Sequence, residues 1–343
     1  MSGGQGAPTM RAVVQDRYGP PEVLRVEQVP RPAPAAGEVL IRIRAASVSQ
    51  TDAHARAAHP VFWRLLAGLR RPRWRTVGVD FSGVVEAVGA DVRRFAVGDE
   101  VYGLMSWLGG GSHREYVTIP ETGWVVPKPV NLTFEEAAAV PDGAMQALAT
   151  LRVGGVKEGS RVVVYGASGA LGTGAVQIAK HLGAHVTGVT STKNVDLVRS
   201  LGADDVLDYT REDLAARGPV FDVVIDAVGK YAFYWGRRAL KPGGIYVETD
   251  FGPHKLHTLV HWIAGRWMGS RKLRFASGRR STADLLLLKD LIEAGSYRPV
   301  IDSVYPLDDV VAAHRRVDGW HKVGNVVLTM DAAPGGQGGG TPA

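Results

Sequence analysis

Two rhythms of hydrophobic residues divide the chain. From Met10 to about Pro129, short apolar runs alternate with polar positions and are broken by Gly and Pro, as in VLIRIR (39–44), GVVEAVG (83–89), VGDEVYG (97–103) and HREYVTIP (113–120). Alternation at period two belongs to half-buried strands. A series of short, glycine-punctuated strands closes most naturally into a partly open β-barrel. After NLTFEEAAAV (131–140) the rhythm changes, and from Ser160 onward continuous apolar strands such as RVVVYG, HVTGVT, FDVVIDAVG and IYVETDFG alternate with helical segments. Strands that are apolar on both faces and interleaved with helices predict a parallel sheet covered on both sides. Short strands return between Val300 and Met330 and are read as rejoining the first domain. The expected organisation is a tail (1–9), a β-rich domain (10–130), a doubly wound α/β domain (131–299), a return segment (300–331) and a second tail (332–343). Both tails are Gly/Pro-rich and apolar-poor, the composition of disorder.

Composition narrows the picture. A chain of 343 residues suits two domains, and 45% hydrophobic with 22% charged residues is a globular balance. The absence of cysteine excludes disulfides and every cysteine-based zinc site. The first ten residues, MSGGQGAPTM, lack the basic and apolar regions of a signal peptide, and no run of about 18 apolar residues occurs, so a cytoplasmic protein with no transmembrane segment is expected. The net charge is +6, concentrated in RLLAGLRRPRWR (64–75) and GRWMGSRKLRF (265–275) with Arg279 and Arg280. Interleaved Trp63, Trp74 and Trp267 allow a nucleic-acid reading. A phosphorylated cofactor or a carrier-bound acid fits the clusters as well, and a plain solvated rim is the simplest reading of such charge runs.

The stretch RVVVYGASGALGTGAVQIAK (161–180) carries the clearest chemistry. A strand ends at Gly166 and a helix is read as starting after Gly172, leaving Ala167-Ser168-Gly169-Ala170-Leu171-Gly172 between them. This is a dinucleotide-binding fingerprint with alanine in the first glycine slot. Gly169 lets the backbone approach a pyrophosphate seated on the helix N-terminus, and Gly172 lets helix and strand pack closely. Where an NAD site offers a carboxylate to the ribose, this chain reads Thr190-Ser191-Thr192-Lys193. Hydroxyls and an ammonium suit a 2′-phosphate, so NADPH is the expected cofactor, with Lys193 as a bare surface lysine the plainer alternative.

With that fingerprint following a β-rich N-terminal half, the chain resembles the medium-chain dehydrogenase/reductase superfamily over roughly Arg11 to Met330. Within it, the sequence is most similar to the zinc-free quinone oxidoreductase branch, in the subgroup like reticulon-4-interacting protein. The stretches that carry the resemblance are GVDFSGVVEAVGADVRRFAVGDEVYG, VPKPVNLTFEEAAAVP, GASGALGTGAVQIAK, TSTKNVDLVRSLGADDVLDYTRED and LIEAGSYRPVIDSVYPLDDVVAAHR. The resemblance implies a GroES-like catalytic domain, a Rossmann domain, a cleft between them, NADPH and a homodimer. It also implies that Tyr209 lies near the adenosine phosphate. Val228 and Thr249, with Ala227 and Asp250, end strands at the cofactor crevice. Gln146 takes the place of a threonine under the nicotinamide, and Asn325 that of a lysine.

Zinc-dependent relatives place Cys at the position of Ser49 and His at that of Val79, and neither residue present is a zinc ligand. Quinone oxidoreductases carry Asn, Asp and Tyr where this chain has Ser49, Asp52 and His54, so only the aspartate is kept. Without a Lewis acid, a conjugated enone or quinone is the easier hydride acceptor, because the charge lands on an oxygen that hydrogen bonds stabilise. Ser49 or His54 is then expected to orient or protonate that oxygen, with Asp52 holding the loop. Water as proton donor, Asp52 as a plain helix cap and His54 as a surface residue are the competing readings. An enoyl-thioester reductase, and a non-catalytic NADPH- or nucleic-acid-binding protein, are the alternative functions. The segment 253–275 reads as an insertion that lines or lids a substrate pocket, forms a dimer face, lies on a membrane surface or packs as a core helix.

Overall fold

The computed structural model describes residues 8–59, 61, 64–106, 111–229, 231, 233–249, 271–276 and 280–330. The outer tails, Asp250 and most of the 253–275 segment lie outside the described residues. The chain divides into two compact units, one formed by 1–141 with 301–343 and the other by 142–300.

In chain order the first unit holds β1 (Thr9–Val14), β2 (Arg25–Pro30), β3 (Glu38–Val48), α1 (Gln50–Ala57), α2 (Arg64–Ala67), β4 (Asp80–Val88), β5 (Glu100–Leu104), β6 (Tyr116–Pro120), β7 (Val125–Pro127) and α3 (Phe134–Ala138). Then α4 (Pro141–Gly154) leads into the second unit: β8 (Arg161–Tyr165), α5 (Ala170–His181), β9 (His185–Thr190), α6 (Val195–Ser200), β10 (Asp205–Asp208), β11 (Phe221–Asp226), α7 (Phe233–Gly236), β12 (Leu240–Glu248), β13 (Lys272–Phe275) and α8 (Thr282–Glu293). The chain returns to the first unit as β14 (Ile301–Pro306), α9 (Val310–Asp318) and β15 (Asn325–Thr329).

The first unit is built on a seven-stranded sheet in the order β14-β15-β3-β4-β5-β7, with β6 also paired to β3, and a separate β1-β2 ribbon. The long β3 is its centre. Val39, Ile41 and Ile43 point into a core completed by Phe81, Val85, Val101, Val117 and Leu328, while Arg42 between them stays exposed. Each such aliphatic side chain contributes roughly 1.5–3 kcal/mol on burial. On the opposite face Ala45 and Val327 receive Ala138 and Ala139 of α3 and its C-cap.

The second unit is a parallel six-stranded sheet in the order β10-β9-β8-β11-β12-β13. Reading outward from β8, this is the doubly wound order, and its strand direction of travel reverses between β8 and β11. That point fixes where the carboxyl ends of two neighbouring strands open a crevice.

One buried polar cluster stands out in the first unit. Arg56 of α1 is only 3% exposed. Its guanidinium donates to the Gly19 carbonyl at 3.1 Å, to His314 Nδ1 at 3.0 Å and to the Asp318 carboxylate at 2.7 Å. Arginine only donates, so His314 accepts at Nδ1 and is protonated at Nε2. His113 packs edge-on to His314 with ring centroids 5.7 Å apart, and its Nε2 meets the Ser47 carbonyl at 2.8 Å. A carbonyl only accepts, which makes that nitrogen the donor. Both imidazoles are therefore neutral, and burial lowers the pKa of His113 to about 4 and that of His314 well below the usual value.

The unfolded chain takes up protons below pH 6.5 that the folded histidines refuse until far lower pH, so this contribution to stability is lost as pH falls through that window. For His113 alone the loss between pH 7 and pH 5 is about 2 kcal/mol. Urea unfolding at the two pH values, compared between wild type and His113→Gln, is expected to show a shallower pH dependence in the variant by that amount. Equal slopes would contradict the assignment.

Candidate active site

The second unit's crevice is shaped by what its glycines permit. Gly166 follows β8 with φ +82°, a conformation that strains any side chain, and a Cβ there would meet Val228 Cγ1 at 2.6 Å. At Gly172 a Cβ would lie 2.1 Å from the Gly166 carbonyl oxygen. The helix can therefore press its first turn onto the end of β8. It begins at Ala170, earlier than the sequence reading placed it, with Gly169 as N-cap. Gly172 thus belongs to the first turn, because only a residue without a side chain fits against that carbonyl.

The amides of Ala170, Leu171 and Gly172 have no acceptor within the helix, whereas Thr173 N–H already bonds Gly169 at 2.8 Å. At Gly169 a Cβ would find nothing nearer than the Gly166 carbonyl at 3.6 Å, so the turn is open where an anion would sit. Ser168 completes the set. Its hydroxyl oxygen accepts from Thr190 Oγ1 at 3.0 Å and Asn194 Nδ2 at 3.1 Å, which leaves its own proton free to donate. Three orphan amides, one aimed hydroxyl and the positive end of α5 fit a dinucleotide pyrophosphate.

At the end of β9 the sequence reading needs one correction. No carboxylate follows that strand in the chain, but Asp208, from the end of the neighbouring β10, accepts the Thr192 hydroxyl at 2.5 Å. Thr192 and Thr210 hold its pKa below the usual carboxylate value, the Thr192 bond being the largest cause. Thr192 is therefore tied to Asp208, and Ser191 and the exposed Lys193 are left to meet a phosphate. Adjacent strands of a parallel sheet end side by side, which the linear sequence does not display.

Tyr209 stands half exposed beside Tyr165, whose ring stacks in turn on Tyr231 at 4.4 Å. The next strand ends in a residue that sequence reasoning missed. Asp226 is 1% exposed and accepts the amides of Val228, Gly229 and Tyr231 at 2.9–3.1 Å and the Tyr246 hydroxyl at 3.1 Å. Burial raises its pKa to about 6 against the pull of those donors. Its function is to fold the loop that presses Val228 onto Gly166. An aspartate closing an apolar strand just before a glycine, as in FDVVIDAVG, is the signal that could have found it. Thr249 donates to the Asp226 carbonyl at 2.7 Å. Gln146, expected at the nicotinamide, is held by its own neighbours: its amide donates to Ala276 and accepts from Arg280, which also grips Asp142 at 2.9 Å.

In the first unit, Ser49 and Asp52 form a capping box on α1. Asp52 accepts the Ser49 amide at 2.7 Å and its hydroxyl at 2.9 Å, and Ser49 Oγ accepts the Asp52 amide at 3.3 Å. The Ser49 proton is thus committed to Asp52, which removes Ser49 as a ready proton donor. His54 lies one helical turn on, half buried, with its ring 5.9 Å from that of His59. Asn325 is buried at the start of β15. Val79 is buried and apolar, and among the described residues no group of three or more His, Asp or Glu side chains could hold a metal ion.

Comparison with known proteins places these features. Residues 35–130 match the alcohol dehydrogenase GroES-like domain, and residues 201–328 match a family described as zinc-binding dehydrogenase. The chain is 34% identical to the mitochondrial NAD(P)H oxidoreductase RTN4IP1 of Bos taurus, over 94% of this chain and 89% of that protein. It is 30% identical to the chloroplast envelope quinone oxidoreductase homolog of Arabidopsis thaliana, over 93% and 98%. The solved quinone oxidoreductase from Coxiella burnetii superposes with a TM-score of 0.84 at 28% identity, over 94% and 100%. The expected cytoplasmic location does not stand, since similar proteins are mitochondrial or belong to the chloroplast envelope. The first ten residues are too weak a signal to set a compartment. No helix among the described residues is long and apolar enough to cross a membrane.

The close contact at Gly172 yields a direct test. Gly172→Ala is expected to destabilise the second unit by about 2–3 kcal/mol and to abolish thermal protection by nicotinamide dinucleotides. Urea unfolding and thermal shift measure both, and an unperturbed, fully protected variant would contradict the packing argument.

Proposed function

The chain belongs to the medium-chain dehydrogenase/reductase superfamily and is an oxidoreductase that uses a nicotinamide cofactor, and from that premise we propose that it is a zinc-independent, NADPH-preferring reductase of quinones and enones. The observation that carries the reading is the donor set around the α5 N-terminus and the end of β9, where Ser191 and Lys193 stand and the neighbouring carboxylate, Asp208, is engaged by Thr192 and Thr210. The cofactor, when bound, supplies the hydride. Ala170, Leu171 and Gly172 amides with Ser168 would hold its pyrophosphate, and Ser191 and Lys193 its 2′-phosphate. Tyr209 would stand at the adenosine end.

A serine hydroxyl bonded to Asp52 and an aliphatic Val79 do not make a zinc ligand set, and an acceptor activated by its own conjugation suits such a site. His54 is the residue proposed to orient or protonate the acceptor oxygen. Ser49 and Asp52 act as positioning residues, since their mutual bonds fix the start of the helix that carries His54. Gln146 and Asn325 enter the proposal only as supports. Assembly as a homodimer is part of the reading.

Turnover of NADPH with 1,4-naphthoquinone, a simple enone and a crotonyl thioester, measured side by side, tests this. Quinone or enone reduction with NADPH favoured over NADH is expected. Lys193→Ala is expected to raise KM for NADPH about tenfold, the worth of one charge-assisted contact, and to leave KM for NADH unchanged. Bound NADPH with none of the three acceptors reduced would overturn the proposal.

A further inference from the structure

The arginine cluster at 64–75 finds a specific use in the fold. A cavity of about 590 Å³ in the first unit is lined by Asp16, Arg17, Arg25, Arg71 and Arg75, over apolar residues that include Val23 and Leu24. Its walls are tied together. Gln15 N–H bonds the Arg75 carbonyl at 2.8 Å, Tyr18 OH donates to the Gly68 carbonyl at 2.9 Å, and Arg73 N–H bonds Ala67 at 2.7 Å. Gly68, at φ +116°, makes the turn possible, because a Cβ there would lie 2.1 Å from the Arg71 carbonyl.

The charges do not balance. Arg25 and Arg75 alternate with Asp16 and Glu27 in a closed ring of contacts between 2.5 and 3.1 Å. Glu22, also on the wall, is held by Arg315 at 2.7 Å. Five guanidinium groups therefore face three carboxylates. Arg17 and Arg71 are left with no ion pair or side-chain hydrogen bond among the described residues. The hydrogen bonds from Arg25 and then Arg75 keep Asp16 below the usual carboxylate range, as a positive surrounding should.

We propose that this cavity is a second binding site, for a small soluble organic phosphate carrying at least two negative charges, gripped by Arg17 and Arg71. Guanidinium forks match phosphate oxygens in pairs, and the cavity has the size of small-ligand sites. Val23 and Leu24 in its lining give an attached carbon skeleton an apolar edge. A lipid phosphate offers the same headgroup chemistry, and vesicle flotation separates it from a free molecule.

The full chain, with the cofactor site filled by NADPH, is titrated with inorganic diphosphate and with AMP by calorimetry, for wild type and for the Arg17→Ala/Arg71→Ala double variant. Both residues are exposed, so the variant is expected to fold and to keep its NADPH affinity. Binding of both probes, weakened at least tenfold in the variant, is the expected result. Equal binding by the two proteins overturns the proposal, as does no binding by wild type. Arginine-dependent flotation with phosphatidic acid vesicles, without diphosphate binding, would assign the arginines to a membrane and overturn it too.

Discussion

The approach of the first turn of α5 to the Gly166 carbonyl is the contact on which the rest of the chemistry depends. A Cβ at Gly172 would stand 2.1 Å from that oxygen, so helix and strand meet only because a glycine lies there. That proximity brings three orphan amides to the carboxyl end of β8, beside the point where the sheet reverses its direction of travel. Val228 closes against Gly166 from the neighbouring strand end, and it does so because the buried Asp226 gathers the amides of its own loop. A cradle of free helix amides thus results from two backbone constraints and one desolvated carboxylate, before any ligand is considered.

The first unit solves a different problem. Where zinc-dependent relatives have metal ligands, this chain has a serine engaged in capping and a buried valine. The helix that starts at Ser49 is anchored at its other end by Arg56, which reaches three partners on two separate segments, the Gly19 loop and α9, from a nearly dry position. Charged groups inside a protein are stable only with such full pairing. The outcome is an α1 fixed at both ends that carries His54.

Much of this was legible in the sequence. Apolar runs such as RVVVYG and FDVVIDAVG announced parallel strands, and the glycines after β8 announced the cradle, because both signals are local. The helix start was misjudged by a few residues, since a glycine read as a spacer is a packing contact. Contacts across strand order were not legible. Asp208 reaches Thr192 only because β10 lies beside β9, and Arg56 meets His314 across 258 residues. The bonds of Gln146 to Ala276 and Arg280 were likewise hidden, because those partners lie on a distant segment. The basic stretch 64–75 was visible as charge, whereas the cavity that divides its arginines into paired and unpaired ones exists only in the fold.

The central claim is direct hydride delivery to a conjugated acceptor with no metal assisting. Turnover of an enone with NADPH deuterated at the transferring position, in protein stripped with a strong chelator, tests it most directly. Deuterium fixed on the β-carbon, at the same rate in stripped as in untreated protein, is the result this account requires. Activity lost on stripping and restored by zinc, or deuterium released to solvent, would contradict it.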